Sequence, residues 1–275
     1  MEKDGYASIN YLSKALFNIS LSKKNYNLIN LIKSSLIAIQ VHIFFIDLLE
    51  EIMDKINNMP VKFDLYITTT SENNKNIIEK YAKLKTKVNN YEILVVENRG
   101  RDVLPFILQM NRIYKNYKYF CHIHSKKTES DPIYGINWRH YLYDNLLGSE
   151  EIISEILYRF ESSEKMGIIF PDIHFSVLRF AYQISKNNLK FMNYLIKETF
   201  PGYKFDTIQE FPAGNMFWGR VSAVYQIFEK LDYISSYCPK ERKQKDHTIM
   251  HAIERIWLVI AQFNGYKYTT ILRKT

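Results

Sequence analysis

Cysteine is scarce in this chain: only Cys121 and Cys238 occur in 275 residues. One lies inside an apolar run and the other precedes Pro239, so no disulfide framework is expected and a reducing compartment is the natural setting. Glycine (9) and proline (7) are also few, and no low-complexity tract, internal repeat or flexible linker interrupts the sequence. No clean apolar run reaches the roughly 20 residues that a membrane helix needs. The most apolar stretch, 28–49, is broken by Lys33, Gln40, His42 and Asp47. The first residues carry no basic n-region and apolar h-region of the signal-peptide kind. These absences predict a cytoplasmic protein, soluble or at most peripheral to the inner face of the plasma membrane. Also missing are a Gly-x-Ser-x-Gly elbow, a Walker loop and a dinucleotide glycine fingerprint, which removes the usual hydrolase, kinase and dehydrogenase readings.

Hydrophobic residues make up 47% of the chain and charged residues 24%, enough to bury a full core in one large domain. Aromatic content is high, with 21 Tyr and 17 Phe; codon bias accounts for much of it, and a half-wet, ring-stacking cleft would use it. The formal charge of +8 suits phosphates or an anionic membrane surface. The lysines are scattered and no RNP or zinc-finger signature is present, so nucleic acid is not an expected partner.

From Leu36 onward the pattern becomes regular. Leu36 to His42 is a β-branched strand, and Ile46 to Ile56 an amphipathic helix ended by Asn57-Asn58-Met59-Pro60. Phe63 to Thr70 is a second strand, followed by a helix over about 72–84 with Ser71 as its cap. Tyr91 to Val96, a helix from Val103 to Tyr114, and Lys118 to His122 continue the series. Strand and helix alternate four times, which predicts an α/β fold with a mostly parallel sheet flanked by helices. The second half predicts helices near 150–161, 187–199, 221–231 and 245–263, with strands at 166–170 and 211–220. Residues 1–35 read as a helical or loosely ordered extension, and 36–275 as a single domain.

Two polar clusters follow apolar runs. Asn98-Arg99-Gly100-Arg101-Asp102 comes after one, and His122-x-His124 with Lys126 and Lys127 after the next. In an open parallel sheet, strand ends open onto the ligand crevice. Gly100 lets the backbone turn or approach a ligand, and Arg99 and Arg101 are suited to bind phosphate in a fork. Asp102 either caps the next helix or accepts from a ribose or sugar hydroxyl. His122 and His124 point the same way because strand side chains alternate. A metal there would need a third ligand and would be repelled by Lys126 and Lys127, so a phosphate-cradling role is preferred to Mg or Mn. Trp138-Arg139 follows a loop containing Asp131, Pro132 and Gly135; Trp138 is either core packing or a stacking platform. Asp172 ends a strand on the rim. Gly214 gives close access to backbone. Asp246, His247, His251, Glu254 and Arg255 open the last helix, with His247, His251 and Glu254 along one face.

Taken in order, these landmarks resemble the rhamnan synthesis F family of bacterial surface-polysaccharide glycosyltransferases. Val41-His42 with Asp47-Leu48, Phe63 to Thr69, Asn98 to Asp102, and His122-x-His124-x-Lys126-Lys127 come first. Trp138-Arg139, Leu146-Leu147-Gly148, Gly167 to Asp172, Ala213 to Trp218, and His251 to Arg255 complete the register. The resemblance runs from about Leu36 to Tyr266. It implies a GT-A-like, Rossmann-related scaffold that moves a sugar from a nucleotide-sugar donor to a glycan or lipid-linked acceptor, beside other polysaccharide-synthesis enzymes. Such folds commonly carry an Asp-x-Asp metal motif where His122-x-His124 stands here, so Lys126 and Lys127 are expected to neutralise the diphosphate instead. His42 and Thr68 are expected near the base and ribose. Arg139, Gly214, Trp218, His251 and Arg255 are expected on the acceptor side. Asp246, or else Asp172 or Glu254, is expected to be the base. The alternative is a non-catalytic nucleotide- or carbohydrate-binding subunit of an assembly complex.

Overall fold

A computed structural model describes residues 36–84, 87–127, 132–181, 186–197, 200, 210–240 and 248–271. The expected extension, residues 1–35, and the candidate base Asp246 lie outside them. The strands are β1 (Ile37–Ile43), β2 (Phe63–Thr69), β3 (Val88–Val95), β4 (Tyr119–His124), β5 (Met166–Pro171), β6 (Phe217–Arg220) and β7 (Lys267–Ile271). They form one seven-stranded sheet in the order β3-β2-β1-β4-β6-β5-β7. Strands β1 to β4 are mutually parallel; β6 alone runs the other way, pairing antiparallel with β4 and β5, while β5 and β7 pair in parallel. The fold is therefore α/β with a mostly parallel, mixed sheet, as the alternating pattern predicted.

Helices cover both faces. On one side lie α1 (Leu49–Ile56), α2 (Glu72–Ala82), α4 (Pro132–Leu147) and α5 (Glu150–Ser162). On the other lie α3 (Val103–Ile113), α7 (Lys186–Lys197), α8 (Val221–Glu229), α9 (Leu231–Tyr237) and α10 (Ile249–Phe263). A short helix α6 (Phe175–Ala181) follows β5. Every residue of β1 and of β4 is buried, as a central strand covered on both faces requires. Alternation then sorts the side chains. Ile37, Ile39, Val41 and Ile43 pack under α1, α4 and α5, while Ala38 faces α3 and α10. The same period places Gln40, His42, His122 and His124 on the α3 side. Among the described residues no helix is long and apolar enough to cross a membrane.

Three sequence expectations need correction. Only Phe217–Arg220 of the expected 211–220 strand is a strand; the residues before it turn, with Gly214 and Asn215 at positive φ. The stretch expected to be a loop around Pro132 and Gly135 is the start of α4, because Pro in a first helical turn has no N–H to waste. The closing strand β7 was not anticipated: its Lys267, Tyr268 and Thr269 carry no hydrophobic run, and pairing with β5 alone organises them.

Gly219 stands opposite Phe120 across β4 and β6, where a Cβ would come within 2.4 Å of the Phe120 ring. Gly219→Ala is expected to lower the unfolding free energy by about 1–3 kcal/mol through overpacking. Urea denaturation checks this, and an unchanged midpoint would contradict the packing.

Candidate functional site

The C-terminal ends of β1, β2 and β4 converge with three other chain segments. The β3–α3 turn brings Gly100, Arg101 and Asp102; the turn before antiparallel β6 brings Gly214 and Asn215; the first turns of α10 bring His251 and Glu254. Reversal of β6 matters here, because it delivers the start of that strand to the edge where its neighbours end.

Beneath this edge lies a buried polar layer. The carboxamide nitrogen of Gln40 is committed to Thr68 Oγ1 (3.3 Å) and Gln109 Oε1 (3.1 Å), so its oxygen accepts from His122 Nδ1 at 2.6 Å. His42 Nδ1 pairs with Thr68 Oγ1 at 2.9 Å. His124 Nε2 donates to the Gly214 carbonyl at 2.9 Å, and its own carbonyl accepts from Tyr143 Oη at 2.7 Å. Phe106 stacks on His122 with centroids 4.0 Å apart. Asp102 occupies the N-cap position of α3 yet caps nothing. Its Oδ2 accepts from Asn215 Nδ2 (2.8 Å) and lies 3.7 Å from Nε2 of both His122 and His124. Trp257 Nε1 in turn donates to Asn215 Oδ1 at 2.8 Å, so α10, the β6 turn, α3 and β4 are tied through one carboxylate.

Burial sets the protonation of this layer. It pulls His42 down to about 3 and lowers His122 and His124 as well, against the opposing attraction of Asp102. Burial alone would raise Asp102; the neighbouring His124 and His122 and the Asn215 hydrogen bond outweigh it and hold the carboxyl below its usual range. At neutral pH the layer is three neutral imidazoles around one carboxylate.

Above the layer sit the groups that reach solvent. Arg101 has φ +54°, a left-handed conformation uncommon for a residue with a Cβ, and its Nη1 lies 3.5 Å from His251 Nε2. Strain of this kind concentrates at sites where a side chain must be aimed. Lys126 Nζ stands 4.0 Å over the Trp138 ring. Desolvation lowers the Lys126 ammonium, with Glu254 and Asp102 opposing and Arg101 reinforcing, so Lys126 lies within electrostatic reach of each of the three. Glu254 Oε1 accepts from the Gly214 amide at 2.7 Å. Gly214, at φ +92°, packs so closely on Trp138 that a Cβ would approach the ring within 3.2 Å.

Several predicted site residues stand elsewhere. Arg99 donates from Nε to Cys238 O (2.7 Å) and from Nη2 to Ser235 O, so its guanidinium serves the C-terminal carbonyls of α9 rather than the rim. Lys127 turns outward to Asp47 and the Phe45 ring. Trp218 is fully buried and donates to Leu146 O, since β6 lies inside the sheet. His42, Thr68 and His122 are covered by the layer and back the site instead of facing it. Asn98 is exposed in the loop after β3. Arg139 pairs with Glu51 (Nη2 to Oε2, 3.2 Å) and donates to Lys126 O, which makes it a brace for the loop carrying Lys126. Arg255 donates to His251 O and lies over Phe211. Asp172 ends β5 on the same edge and accepts from its neighbour Ile173 N. Asn215, Gln40 and Gln109 were not anticipated; a buried Gln inside an apolar strand was the one available signal.

At the place of an Asp-x-Asp motif the side chains are imidazoles, His122 and His124, instead of carboxylates. Mg and Mn favour carboxylate and water oxygens, whereas here two imidazoles stand with one carboxylate, His122 Nδ1 engaged by Gln40 and His124 Nε2 by the Gly214 carbonyl. Among the described residues no group of three or more His, Cys, Asp or Glu is arranged to hold a metal ion. A cavity of about 470 Å³ opens at the opposite edge, between Leu36, Tyr114 to Lys118 and Tyr225, and contains none of the candidate residues.

Fold and site together define an α/β protein with a cationic rim at the carboxyl edge of its parallel strands, the usual ligand edge of such sheets. A family model described as "Rhamnan synthesis protein F" matches residues 7–266, and the chain belongs to that family. The likeness thus extends into the first 35 residues, beyond the sequence landmarks. The uncharacterised protein WxcX of Xanthomonas campestris pv. campestris, from strain B100 and from a second strain, is 28% identical over 236 residues. That match takes in 85% of this chain and 32% of the relative, so the chain spans about a third of the length of these curated proteins.

Proposed function

We propose that this protein is a glycosyltransferase domain that moves a sugar from a nucleotide-sugar donor to a growing bacterial surface polysaccharide of the rhamnan, O-antigen or capsule type. The observation that carries this reading is the gathering of Arg101, Lys126 and His251 around a strained turn at the carboxyl edge, in a chain of a family named for rhamnan synthesis. In this reading the donor diphosphate lies against Arg101 and Lys126, with the Gly214 turn beside it. The acceptor hydroxyl oxygen bonds to the anomeric carbon as the bond from that carbon to the diphosphate oxygen breaks. The electron pair leaves on the diphosphate, which the two cations stabilise. The hydroxyl proton passes to a carboxylate. Glu254 has one carboxylate oxygen on the Gly214 amide and the other beside Arg255, so among the described residues Asp172 is the base we assign. The setting we assign is the cytoplasm or the inner membrane face, supported by two unpaired, buried cysteines.

A non-catalytic binding subunit is the second reading, favoured by one fact: the relatives are about three times as long, with room for catalysis elsewhere. Thermal-shift titration with UDP, GDP and dTDP, followed by mass analysis of nucleotide-sugar turnover, separates the two. The transferase reading expects stabilisation by one nucleotide and consumption of its sugar conjugate. Binding without transfer or hydrolysis would select the subunit instead, and no nucleotide binding at all would remove the transferase reading and leave only a carbohydrate-binding subunit.

A further inference from the structure

Beside the cationic rim runs a second surface that the donor site does not use. Tyr134, Trp138 and Tyr141 recur at the four- and three-residue spacing that lines one face of α4. Trp138 meets the Gly214 turn and Lys126. One turn further, the Tyr141 ring contacts His174 at 4.9 Å, and His174 contacts Phe175 at 4.3 Å. His174 Nδ1 is fixed to Ser176 Oγ at 2.7 Å, which holds the imidazole between the two rings. Ile173 packs on Phe211 and Ala213, the residues leading into Gly214. The aromatic series is thus continuous with the rim.

Its outer end is open to water. Phe175 is 70% exposed and Leu178 48% exposed on α6, and Tyr134 is 51% exposed on α4. Single exposed apolar residues need no explanation, but a run of rings leading out of a candidate site does. The run is not simply greasy: Asp172 stands two residues before His174 and within electrostatic reach of Tyr141, whose ring bears a hydroxyl, and the His174 imidazole sits against both the Tyr141 and Phe175 rings. Flat apolar faces with hydrogen-bonding groups between them match a pyranose, whose C–H faces are apolar and whose rim carries hydroxyls. A lipid chain would leave those polar groups unanswered.

We propose that the ledge formed by Tyr141, His174 and Phe175 is a saccharide subsite that seats the acceptor glycan and presents its hydroxyl to Asp172. This deepens the transferase reading and rests on it for the identity of the bound sugar as acceptor. The ledge holds the last rings of the glycan while Trp138 divides it from the diphosphate under Lys126.

The test uses the full chain and a rhamnose trisaccharide as probe, with binding read by saturation-transfer NMR and nucleoside-diphosphate binding measured on the same samples. Phe175→Ala, at an exposed position, and Tyr141→Phe, which keeps the ring, are compared with Leu84→Ala, an exposed apolar residue far from the site. Phe175→Ala is expected to weaken trisaccharide binding about ten-fold and Tyr141→Phe by a smaller factor, with nucleotide binding unchanged and Leu84→Ala silent. Equal binding by all variants overturns the subsite, as does absence of trisaccharide binding by a protein that still binds nucleotide. Binding to phosphatidylglycerol vesicles that is lost in Phe175→Ala, with trisaccharide binding intact, would make the ledge a lipid contact and also overturn it. Ledge-dependent trisaccharide binding without any nucleotide binding supports the subsite while sinking the transferase reading.

Discussion

Arg101→Ala is expected to lower kcat for sugar transfer by about 100- to 1000-fold, the range seen when one preorganised charge-stabilising donor is removed. The fold should survive, because Arg101 lies in a turn whose shape depends on Gly100 and not on the guanidinium. A Cβ on Gly100 would approach Leu104 Cβ within 2.4 Å, and φ there is +69°. Alanine at 101 inherits the same left-handed backbone, so the substitution removes a charge without relieving or adding much strain. Arg101→Lys should recover part of the rate, since it restores charge but not the fork. The neighbouring Arg99→Ala supplies the contrast: its guanidinium holds α9 carbonyls, so its loss should cost stability and leave kcat nearly intact. Near-normal transfer by Arg101→Ala, measured as sugar release from the donor under saturating conditions, would refute the assignment of the diphosphate.

Acidification should unfold this protein from the inside. His42, His122 and His124 are buried and held below the ordinary histidine value, His42 at about 3. The unfolded chain takes up protons near pH 6.5, while the folded chain does not. Stability is therefore fully present above about pH 6.5 and falls as pH drops towards 3, at about 1.4 kcal/mol per pH unit for each imidazole that stays neutral. Asp102 works in the same direction only at lower pH, since its depressed carboxyl contributes stability that is lost below about pH 4. Urea midpoints at pH 7.5, 6.5 and 5.5 test this. A fall of about 1.4 kcal/mol or more between pH 6.5 and 5.5 is expected, and His42→Gln should reduce the slope. A flat profile across that window would mean that these imidazoles are not buried neutral groups.

Much of the fold was legible beforehand because its signals are local. β1 and β2 carry apolar runs rich in β-branched residues and β4 opens with an aromatic one, all of strand length, and α2 announces itself with Ser71, which accepts from Asn74 N at 3.2 Å. Where partners decide, the pattern was silent. β7 is ordered by β5, and the turn at 213–216 is shaped by Glu254 and Asn215 rather than by any strand period. The site followed the same division. His122 and His124 share a face for a reason that alternation supplies. The two arginines two residues apart look equivalent in sequence, and no spacing rule distinguishes one that reaches a helix end 136 residues away from one that reaches the rim. Trp218 and Trp138 likewise exchanged roles: one is inside the sheet and the other stands beside Lys126.

The amino-acid order alone determined an α/β domain with polar clusters after its third and fourth strands, because side-chain period and capping chemistry act over a few residues. Only the tertiary structure decided which of those polar groups face solvent. That outcome depends on the reversal of β6 and on the docking of α10, contacts between segments about a hundred residues apart, which no local pattern encodes.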